Sequence, residues 1–357
     1  MKISNRLQKL RQGFDEKEID AILISQPANR YYLSGFDGSA GYLLITPQHT
    51  ILATDFRYLE QVKAQAPDYE LFQITGNIED WLPRLVAELN LGRLGFETEY
   101  VTFAQYRRLT DILNKVPSRL RLVPVDGLVE SLRAVKEPEE IELITKAVEI
   151  SDSAFDYIEG RIHGDMTEKE VAWEIEKFMR EKGSQAIPFD IIVASGHNSA
   201  LPHAKPSQHP IGSGEPVVID IGARYEGYSS DLSRTICPGS PDATFSKIYD
   251  IVLGAQLAAM AMVKEGMSGG QVDHLARTVI EQTGYGKAFG HGLGHGVGLA
   301  PHELPRLSPG SSDQLADGMV FTIEPGIYLP GWGGVRIEDV VVMEGGKIRV
   351  ISKARKA

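Results

Sequence analysis

The sequence has very little cysteine and no long hydrophobic run. Cys237 is the only cysteine in 357 residues, so no disulfide can form within the chain, and nothing indicates an oxidising compartment. The longest apolar stretch, residues 251–263, is interrupted by Gln256 and is shorter than the roughly 20 residues that span a bilayer. The first residues also lack the continuous apolar segment of a signal peptide. We therefore predict a cytoplasmic protein with no membrane segment.

Positive charge is in deficit. The chain has 37 Lys and Arg residues against 48 Asp and Glu residues, which gives a net charge of −11. Nucleic acids and anionic membranes need a basic surface, so neither is an expected partner. A composition that is 42% hydrophobic and 24% charged is typical of a globular protein. Because a single core stops growing at roughly 250 to 300 residues, the length predicts two domains.

The two halves of the chain differ in pattern. In residues 1–127, short apolar runs such as 21–24 alternate with helical spacing such as 78–89, which predicts an α/β domain. A charged, proline-containing stretch then interrupts the pattern. Residues 128–357 combine helices with strand-like segments, so the class predicted for the whole chain is mixed α/β.

Two aspartates lie in neighbouring strand-like segments of the second half. Residues 216–223 and 228–236 flank a Glu-Gly turn signal and predict a β-hairpin. A turn centred between residues 225 and 226 would place Asp220 directly opposite Asp231. Like charges in that position repel, and burying an unpaired charge is costly, so we expect a cation to neutralise them. For either aspartate taken alone, a place on a solvated strand edge is an equal alternative.

Histidine and glycine concentrate in the second half. Seven of the nine histidines lie at or after His197, and seven glycines fall within residues 284–298. His291, His295 and His302 follow one another at glycine-rich spacing, which indicates imidazoles brought to a site by a backbone that needs room. A phosphate-binding loop is the rival interpretation, but no Gly-Lys-Ser/Thr sequence supports it.

Two further acids complete the pattern. Glu324 and Glu338 each lie near the end of a strand-like segment. Four carboxylates and a histidine form the donor set expected of two Mn²⁺, Co²⁺ or Zn²⁺ ions about 3.5 to 4 Å apart. One cysteine cannot build a thiolate site. The sequence therefore predicts a dinuclear centre of divalent metal ions.

At this point the sequence resembles a known family. The order and the gaps of 11, 64, 29 and 14 residues closely resemble the metal-ligand pattern of the prolidase and aminopeptidase P branch of the pita-bread metallopeptidases: Asp220, Asp231, His295, Glu324 and Glu338. Segments 29–36, 38–41 and 54–58 are similar to the creatinase-type N-terminal domain. The resemblance implies a creatinase-like α/β domain over residues 1–127. It implies a pita-bread catalytic domain, with an antiparallel sheet and flanking helices, over residues 128–357.

The resemblance also implies roles for individual residues. Asp231 and Glu338 would bridge both ions, Asp220 would hold one ion, and His295 with Glu324 would hold the other. Mn²⁺ is the expected metal, with Co²⁺ or Zn²⁺ as alternatives. Glu324 would also act as general base and then general acid. The other expected site residues are the catalytic, substrate-side His203 and His302, the site-lining His291, and Arg336, which would orient carboxylates.

The activity implied is that of an Xaa-Pro metallo-exopeptidase acting on proline-containing peptides, as a homodimer. The N-terminal segments favour aminopeptidase P, which removes the first residue from longer Xaa-Pro peptides. The alternative is prolidase, which cleaves Xaa-Pro dipeptides, and Arg306 stands where some prolidases carry a cation for the terminal carboxylate. A solvated loop arginine is the other interpretation of Arg306. Methionine aminopeptidase is less favoured, because that branch typically lacks the N-terminal domain and has a longer gap between its two glutamates. A non-catalytic pita-bread binding protein is less favoured, because all five ligands are present.

Overall fold

The chain folds as two units that divide after Arg133. The computed structural model describes residues 3–114 and 120–356, so the predicted domain ranges also include residues that lie outside the described part. The boundary predicted after residue 127 lies one helix earlier, at the start of Leu128–Ala134.

A mixed sheet forms the centre of the first unit. Its helices are α1 (Ile3–Gln12), α2 (Pro27–Ser34), α3 (Leu59–Gln65), α4 (Ile78–Glu88), α5 (Phe103–Leu113) and α6 (Leu128–Ala134). Its strands are β1 (Ala21–Ile24), β2 (Tyr42–Ile45), β3 (Thr50–Thr54), β4 (Glu70–Gln73), β5 (Arg93–Glu97) and β6 (Arg121–Val125), in the order β4-β3-β2-β1-β5-β6. Strands β1 and β2 are antiparallel, whereas β1, β5 and β6 run parallel. Trp81 and Leu85 of α4 pack with Leu23 and Leu44 of the sheet.

The second unit combines four helices with several antiparallel sheets in its described residues. The helices are α7 (Pro138–Glu159), α8 (Glu168–Glu181), α9 (Ala243–Met262) and α10 (Gly269–Gln282). The strands are β7 (Ile192–Ser195), β8 (Val217–Ile221), β9 (Arg224–Tyr225), β10 (Tyr228–Ser229), β11 (Leu232–Ile236), β12 (Gly294–Gly296), β13 (Glu303–Leu307), β14 (Val320–Ile323), β15 (Gly326–Leu329), β16 (Gly333–Arg336), β17 (Asp339–Glu344) and β18 (Lys347–Val350). None of the helices in the described ranges is long and apolar enough to cross a membrane.

Each main sheet of this unit is covered by a helix pair. The sheet β11-β8-β7 buries Val217 and Ile219 against α7 and α8, in a core that includes Phe155. The sheet β13-β12-β14-β17-β18 buries Phe321 against α9 and α10, together with Ile248. Strand β16 runs beside β11, where two hydrogen bonds join Arg336 and Thr235. The edges of the two sheets are thereby brought side by side.

The predicted hairpin exists, but its predicted register is wrong. Glu226 and Gly227 form the turn with φ angles of 47° and 83°, so the loop is centred one residue later than expected. Asp220 consequently pairs with Ser233 rather than with Asp231. The second strand is also interrupted between β10 and β11, at residues 230 and 231, where the Ser230 hydroxyl accepts a hydrogen bond from the backbone N–H of Ala223. Asp231 lies in this interruption.

The last described residues are fixed by buried charges. The Arg234 guanidinium, 1% exposed, donates to the carbonyl oxygens of Ala354 and Arg355 at 2.7 and 3.1 Å. It also forms an ion pair with Asp339 at 2.7 Å, and the other carboxylate oxygen of Asp339 lies 2.7 Å from Lys356 Nζ. The C-terminal tail is thus attached directly behind the start of β17.

Candidate metal centre and active site

Five predicted ligands converge from five separate segments of the second unit. Asp220 lies on β8, Asp231 in the interruption before β11, His295 on β12, Glu324 directly after β14, and Glu338 between β16 and β17. Because these elements meet where the two main sheets adjoin, side chains more than a hundred residues apart in the sequence share one site.

Their donor atoms form overlapping triplets. One oxygen each from Asp220, Asp231 and Glu338 lie within 4.8 Å of one another. The same limit holds for the donor atoms of His295, Glu324 and Glu338. Glu338 belongs to both triplets, which is the arrangement that a ligand shared by two ions requires. A third triplet joins Asp231 and His295 to His302, a residue predicted for the substrate side.

Two carboxylate oxygens in this cluster accept no hydrogen bond from the described residues. Asp220 Oδ1 and Glu338 Oε1 are both buried and have no partner. A buried carboxylate oxygen without a donor is costly unless a cation takes the place of the donor. The donor set, with oxygens in the majority and one imidazole, suits Mn²⁺, Co²⁺ or Zn²⁺. The residues therefore fit a divalent metal centre.

Burial and mutual repulsion raise the pKa values of two of the acids. Burial raises the pKa of Asp231 well above its ordinary value, and the Asp220 carboxylate raises that pKa further. Burial also raises the pKa of Glu338, with the charge of Asp231 as the next cause. A bound cation would favour the ionised form of both carboxyls, because its charge would offset their mutual repulsion.

His295 and Glu324 form a charged pair instead. His295 Nε2 lies 3.2 Å from Glu324 Oε1 and 3.7 Å from Asp231 Oδ2. Burial alone would lower the pKa of His295, but the hydrogen bond and charge of Glu324 raise it to about 9. Burial alone would raise the pKa of Glu324, but His295 lowers it to about 2. The Thr322 hydroxyl also donates to Glu324, at 3.2 Å.

A hydrogen-bonded chain behind the ligands runs from Asp220 to His291. Arg336 Nη2 lies 2.6 Å from Asp220 Oδ2, and Arg336 Nη1 donates to the Tyr328 hydroxyl at 2.7 Å. The Tyr328 hydroxyl lies 2.9 Å from His291 Nε2. The other ring nitrogen of His291 faces the carbonyl oxygen of Gly292 at 2.8 Å, so it carries the proton and Tyr328 donates to Nε2. Burial raises the pKa of Tyr328 to about 12, which keeps the hydroxyl protonated.

All ten predicted site residues line one cleft of about 540 Å³. Besides the four acids and His295, the lining includes His203, His302, His291, Arg306 and Arg336. The ring centroids of His295 and His302 lie 4.1 Å apart. Burial and the neighbouring His295 lower the pKa of His302, so its imidazole is neutral near pH 7. The roles implied for these residues stay predictions.

The glycine run places β12 between two neighbouring strands. A Cβ atom on Gly294 would lie 2.1 Å from the carbonyl oxygen of Thr322, and one on Gly296 would lie 2.0 Å from that of Leu304. Side chains at these two positions would force β13 and β14 away from His295. Glycine therefore serves close strand packing here rather than phosphate binding.

Sequence reasoning did not find Tyr328, Thr322 or Phe189. Tyr328 and Thr322 contact predicted site residues, and Phe189 lines the cleft. The one available signal was that Tyr328 and Thr322 lie in the strand-like segments around Glu324. Periodicity alone does not separate such residues from ordinary members of the core.

Two family models match the chain. The model for metallopeptidase family M24 matches residues 142–344, and the model for the creatinase/prolidase N-terminal domain matches residues 6–135. This chain belongs to metallopeptidase family M24. The M24 match includes all five predicted ligands, and membership implies divalent metal ions as cofactors.

Solved structures and characterised relatives match over nearly the whole M24 chain. An Xaa-Pro dipeptidase from Bacillus anthracis is 42% identical, with a TM-score of 0.95, over 100% of this chain and 99% of that chain. An Xaa-Pro dipeptidase of Pyrococcus furiosus is 38% identical over 99% of both chains. An X-Pro aminopeptidase structure from Thermotoga maritima is 38% identical, with a TM-score of 0.88, over 97% of this chain and 99% of that chain.

These matches confirm the resemblance and the fold class predicted from the sequence. The M24 chain has the creatinase-like N-terminal domain and the catalytic domain with antiparallel sheets and helices. The predicted metallopeptidase class is confirmed, and the relatives are exopeptidases by name. Dipeptidases are prominent among them, so the alternative prediction is better supported than the aminopeptidase P prediction.

Proposed function

We propose that this chain is an Xaa-Pro dipeptidase, which hydrolyses the bond between an N-terminal residue and a C-terminal proline. The observation that carries the proposal is the convergence, in one cleft, of five metal-binding side chains that include two buried carboxylate oxygens without a donor. The names of the relatives from Bacillus anthracis and Pyrococcus furiosus support the choice of substrate.

Two divalent ions would occupy the cluster, with Mn²⁺ preferred and Co²⁺ or Zn²⁺ as alternatives. Asp231 and Glu338 would bridge the ions, Asp220 would hold one ion, and His295 with Glu324 would hold the other. The membership of Glu338 in two donor triplets supports its bridging role. Arg336 would fix the orientation of Asp220 through the 2.6 Å contact, as outer residues commonly do for metal-bound carboxylates.

When bound, such ions act as Lewis acids that lower the pKa of a water molecule and polarise a carbonyl group. The carboxylate of Glu324, ionised throughout the neutral range, would accept the proton of the attacking water and deliver it to the proline nitrogen. The neutral imidazole of His302 would donate a hydrogen bond to the carbonyl oxygen as negative charge develops there. His203 would contact the substrate from another wall of the cleft.

Arg306 would bind the terminal carboxylate of the dipeptide. It pairs with His295 across β12 and β13, so its side chain lies on the face of the sheet that carries this ligand. Arg306 lines the cleft and is exposed, so its guanidinium is accessible to a substrate. A cation on the wall of the cleft beside His295 would favour a substrate that ends one residue after the cleaved bond.

Aminopeptidase P activity is the second candidate. It is supported by the X-Pro aminopeptidase from Thermotoga maritima, whose structure covers nearly the same length. Such an enzyme would accept a chain that continues beyond proline, and Arg306 would then contribute little to binding.

Steady-state hydrolysis of Ala-Pro, Ala-Pro amide and Ala-Pro-Gly by the Mn²⁺-loaded protein separates the candidates. We expect kcat/KM for Ala-Pro to exceed the values for both other peptides. In Arg306→Ala, the KM for Ala-Pro should rise about tenfold, because a charge-assisted hydrogen bond contributes roughly 1.5 to 3 kcal/mol and solvent exposure favours the lower limit. The amide, which lacks the carboxylate, should be affected little.

Lys205→Ala is the matched control, because Lys205 is another exposed cation that lines the cleft. This variant should keep the wild-type preference for Ala-Pro. Faster cleavage of Ala-Pro-Gly than of Ala-Pro, together with an unchanged KM in Arg306→Ala, would assign the protein to the aminopeptidase P group.

The same proposal includes a homodimer and a cytoplasmic location. The family resemblance supports the dimer, and the single cysteine supports a reducing compartment. Sedimentation equilibrium of the metal-loaded protein tests the dimer directly.

A further inference from the structure

Gln256 is a buried polar residue in an apolar helix. It interrupts the longest apolar stretch of the sequence and is 0% exposed in the middle of α9. Its neighbours along the helix, Val252, Ala255 and Ala259, are equally buried members of the core. Burying an amide in such surroundings costs free energy unless its polar atoms find partners, so its contacts need a physical reason.

The amide nitrogen of Gln256 contacts the backbone next to both glutamates of the site. Nε2 lies 3.0 Å from the carbonyl oxygen of Ile323 and 3.2 Å from that of Ile337. Ile323 immediately precedes Glu324, and Ile337 immediately precedes Glu338. One helical side chain therefore contacts both segments at one point, which lies between the pairing of Ile323 with Asp339 and the pairing of Gly326 with Arg336.

We propose that Gln256 is a positioning residue that sets the separation of Glu324 and Glu338, and so the affinity of the site for its pair of divalent ions. This inference rests on the proposed metal-binding role of the two glutamates. A ligand set that serves two ions tolerates little change in the distance between its carboxylates, because every ion needs all its donors at once. Strand pairs hold the segments on either side of the two glutamates, and Gln256 joins the two carbonyl groups between those pairs.

The contacts of Gln256 are poorly suited to a purely stabilising role. Its carbonyl oxygen, Oε1, is buried and has no hydrogen-bond partner among the described residues. Nε2 also lies 3.2 Å from Asp339 Oδ2, but that oxygen already has Lys356 at 2.7 Å. A buried amide with one unsatisfied atom lowers the free energy of unfolding, and a hydrophobic side chain would avoid that loss. Such a cost is typical of residues retained for function.

Gln256→Met tests the proposal, because methionine is also unbranched and of similar length but has no donor. Chelator-treated wild-type and variant proteins are titrated with Mn²⁺ by calorimetry, and melting temperatures of the metal-free forms are measured by circular dichroism. We expect Gln256→Met to fold and to bind at least one of the two ions about 10- to 100-fold more weakly, as found for residues that orient ligands.

Ile248→Ala is the matched control. Ile248 is 0% exposed on the same helix and in the same core, but no hydrogen bond links it to either glutamate segment. Its truncation should lower the melting temperature and leave the dissociation constants for Mn²⁺ within about twofold of wild type. Gln256→Asn is a milder second variant: it keeps the amide but is one methylene shorter, so it should reach only one carbonyl and weaken binding to an intermediate degree.

Binding by Gln256→Met within twofold of wild type would overturn the inference. Equal losses of affinity in Gln256→Met and Ile248→Ala would also overturn it, since the effect would then follow general stability. If Gln256→Met did not fold, wild-type affinity in Gln256→Asn would decide against the proposal. A wild-type protein that bound no Mn²⁺ would refute the proposed metal centre itself, which is a different outcome from normal binding by all variants.

Discussion

The metal-free protein should lose stability as pH rises, and the charged form of His295 is one cause. In the folded chain the pKa of His295 is about 9, against an ordinary value of 6.5, because Glu324 holds its charged form. The stabilisation is therefore fully present below pH 6.5 and is lost as pH rises through 9. A shift from 6.5 to about 9 corresponds to roughly 3 kcal/mol of unfolding free energy.

The carboxyls of Asp231 and Glu338 change the stability in the same direction as His295. Folding raises the pKa of Asp231 and of Glu338, so the folded protein binds protons that the unfolded chain releases above about pH 4. Their contribution is also lost as pH rises. The lowered pKa of Glu324 and the raised pKa of His295 arise from one ion pair. The free energy of that pair is therefore counted once.

Urea unfolding of the chelator-treated protein between pH 6 and pH 9 measures the effect. We expect the unfolding free energy of the catalytic unit to fall by roughly 3 kcal/mol more in wild type than in His295→Gln, which lacks the titrating group. A bound ion would replace the proton on His295, so loading with Mn²⁺ should remove this pH dependence and release at least one proton at pH 7. Equal slopes in wild type and His295→Gln would refute the argument.

Two further substitutions test the site. Asp231→Ala should abolish metal loading and activity, since it removes a carboxylate that belongs to two of the donor triplets; a variant that kept two metal equivalents by elemental analysis, with wild-type turnover, would contradict the ligand assignment. Tyr328→Phe should lower the unfolding free energy by about 1 to 3 kcal/mol, because His291 and Arg336 each lose a buried hydrogen-bond partner, and should lower kcat more than it changes KM. Unchanged urea unfolding and kcat in Tyr328→Phe would show that this hydrogen-bonded chain is dispensable.

Much of the fold was predictable because local signals agreed with tertiary packing. Helix α8 follows its capping threonine, Thr167, and its buried face repeats at helical spacing. Helix α10 was not predicted, because Gly269 and Gly270 occupy its first turn and glycine disfavours helix. A Cβ atom on Gly269 would lie 1.9 Å from the carbonyl oxygen of Arg306, so packing overrides propensity.

The candidate site was predictable in its members and less so in its geometry. The spacing of the acids and of His295 identified the ligands because family resemblance adds information that one sequence lacks. The register of the hairpin was wrong because an error of one residue in the turn centre changes every cross-strand pair. Tyr328 was not found because its partners, His291 and Arg336, reach it only through the fold.

The attachment of residues 354–356 makes this segment part of the framework behind the proposed metal centre. Arg234 and Asp339 need Ala354, Arg355 and Lys356 as partners, and Asp339 directly follows the proposed ligand Glu338. Removal of these residues would leave the ion pair of Arg234 and Asp339, beside the proposed metal centre, without part of its support. Deletion of residues 354–356 should therefore lower the metal content of the protein, as measured by elemental analysis, although none of these residues is a proposed ligand.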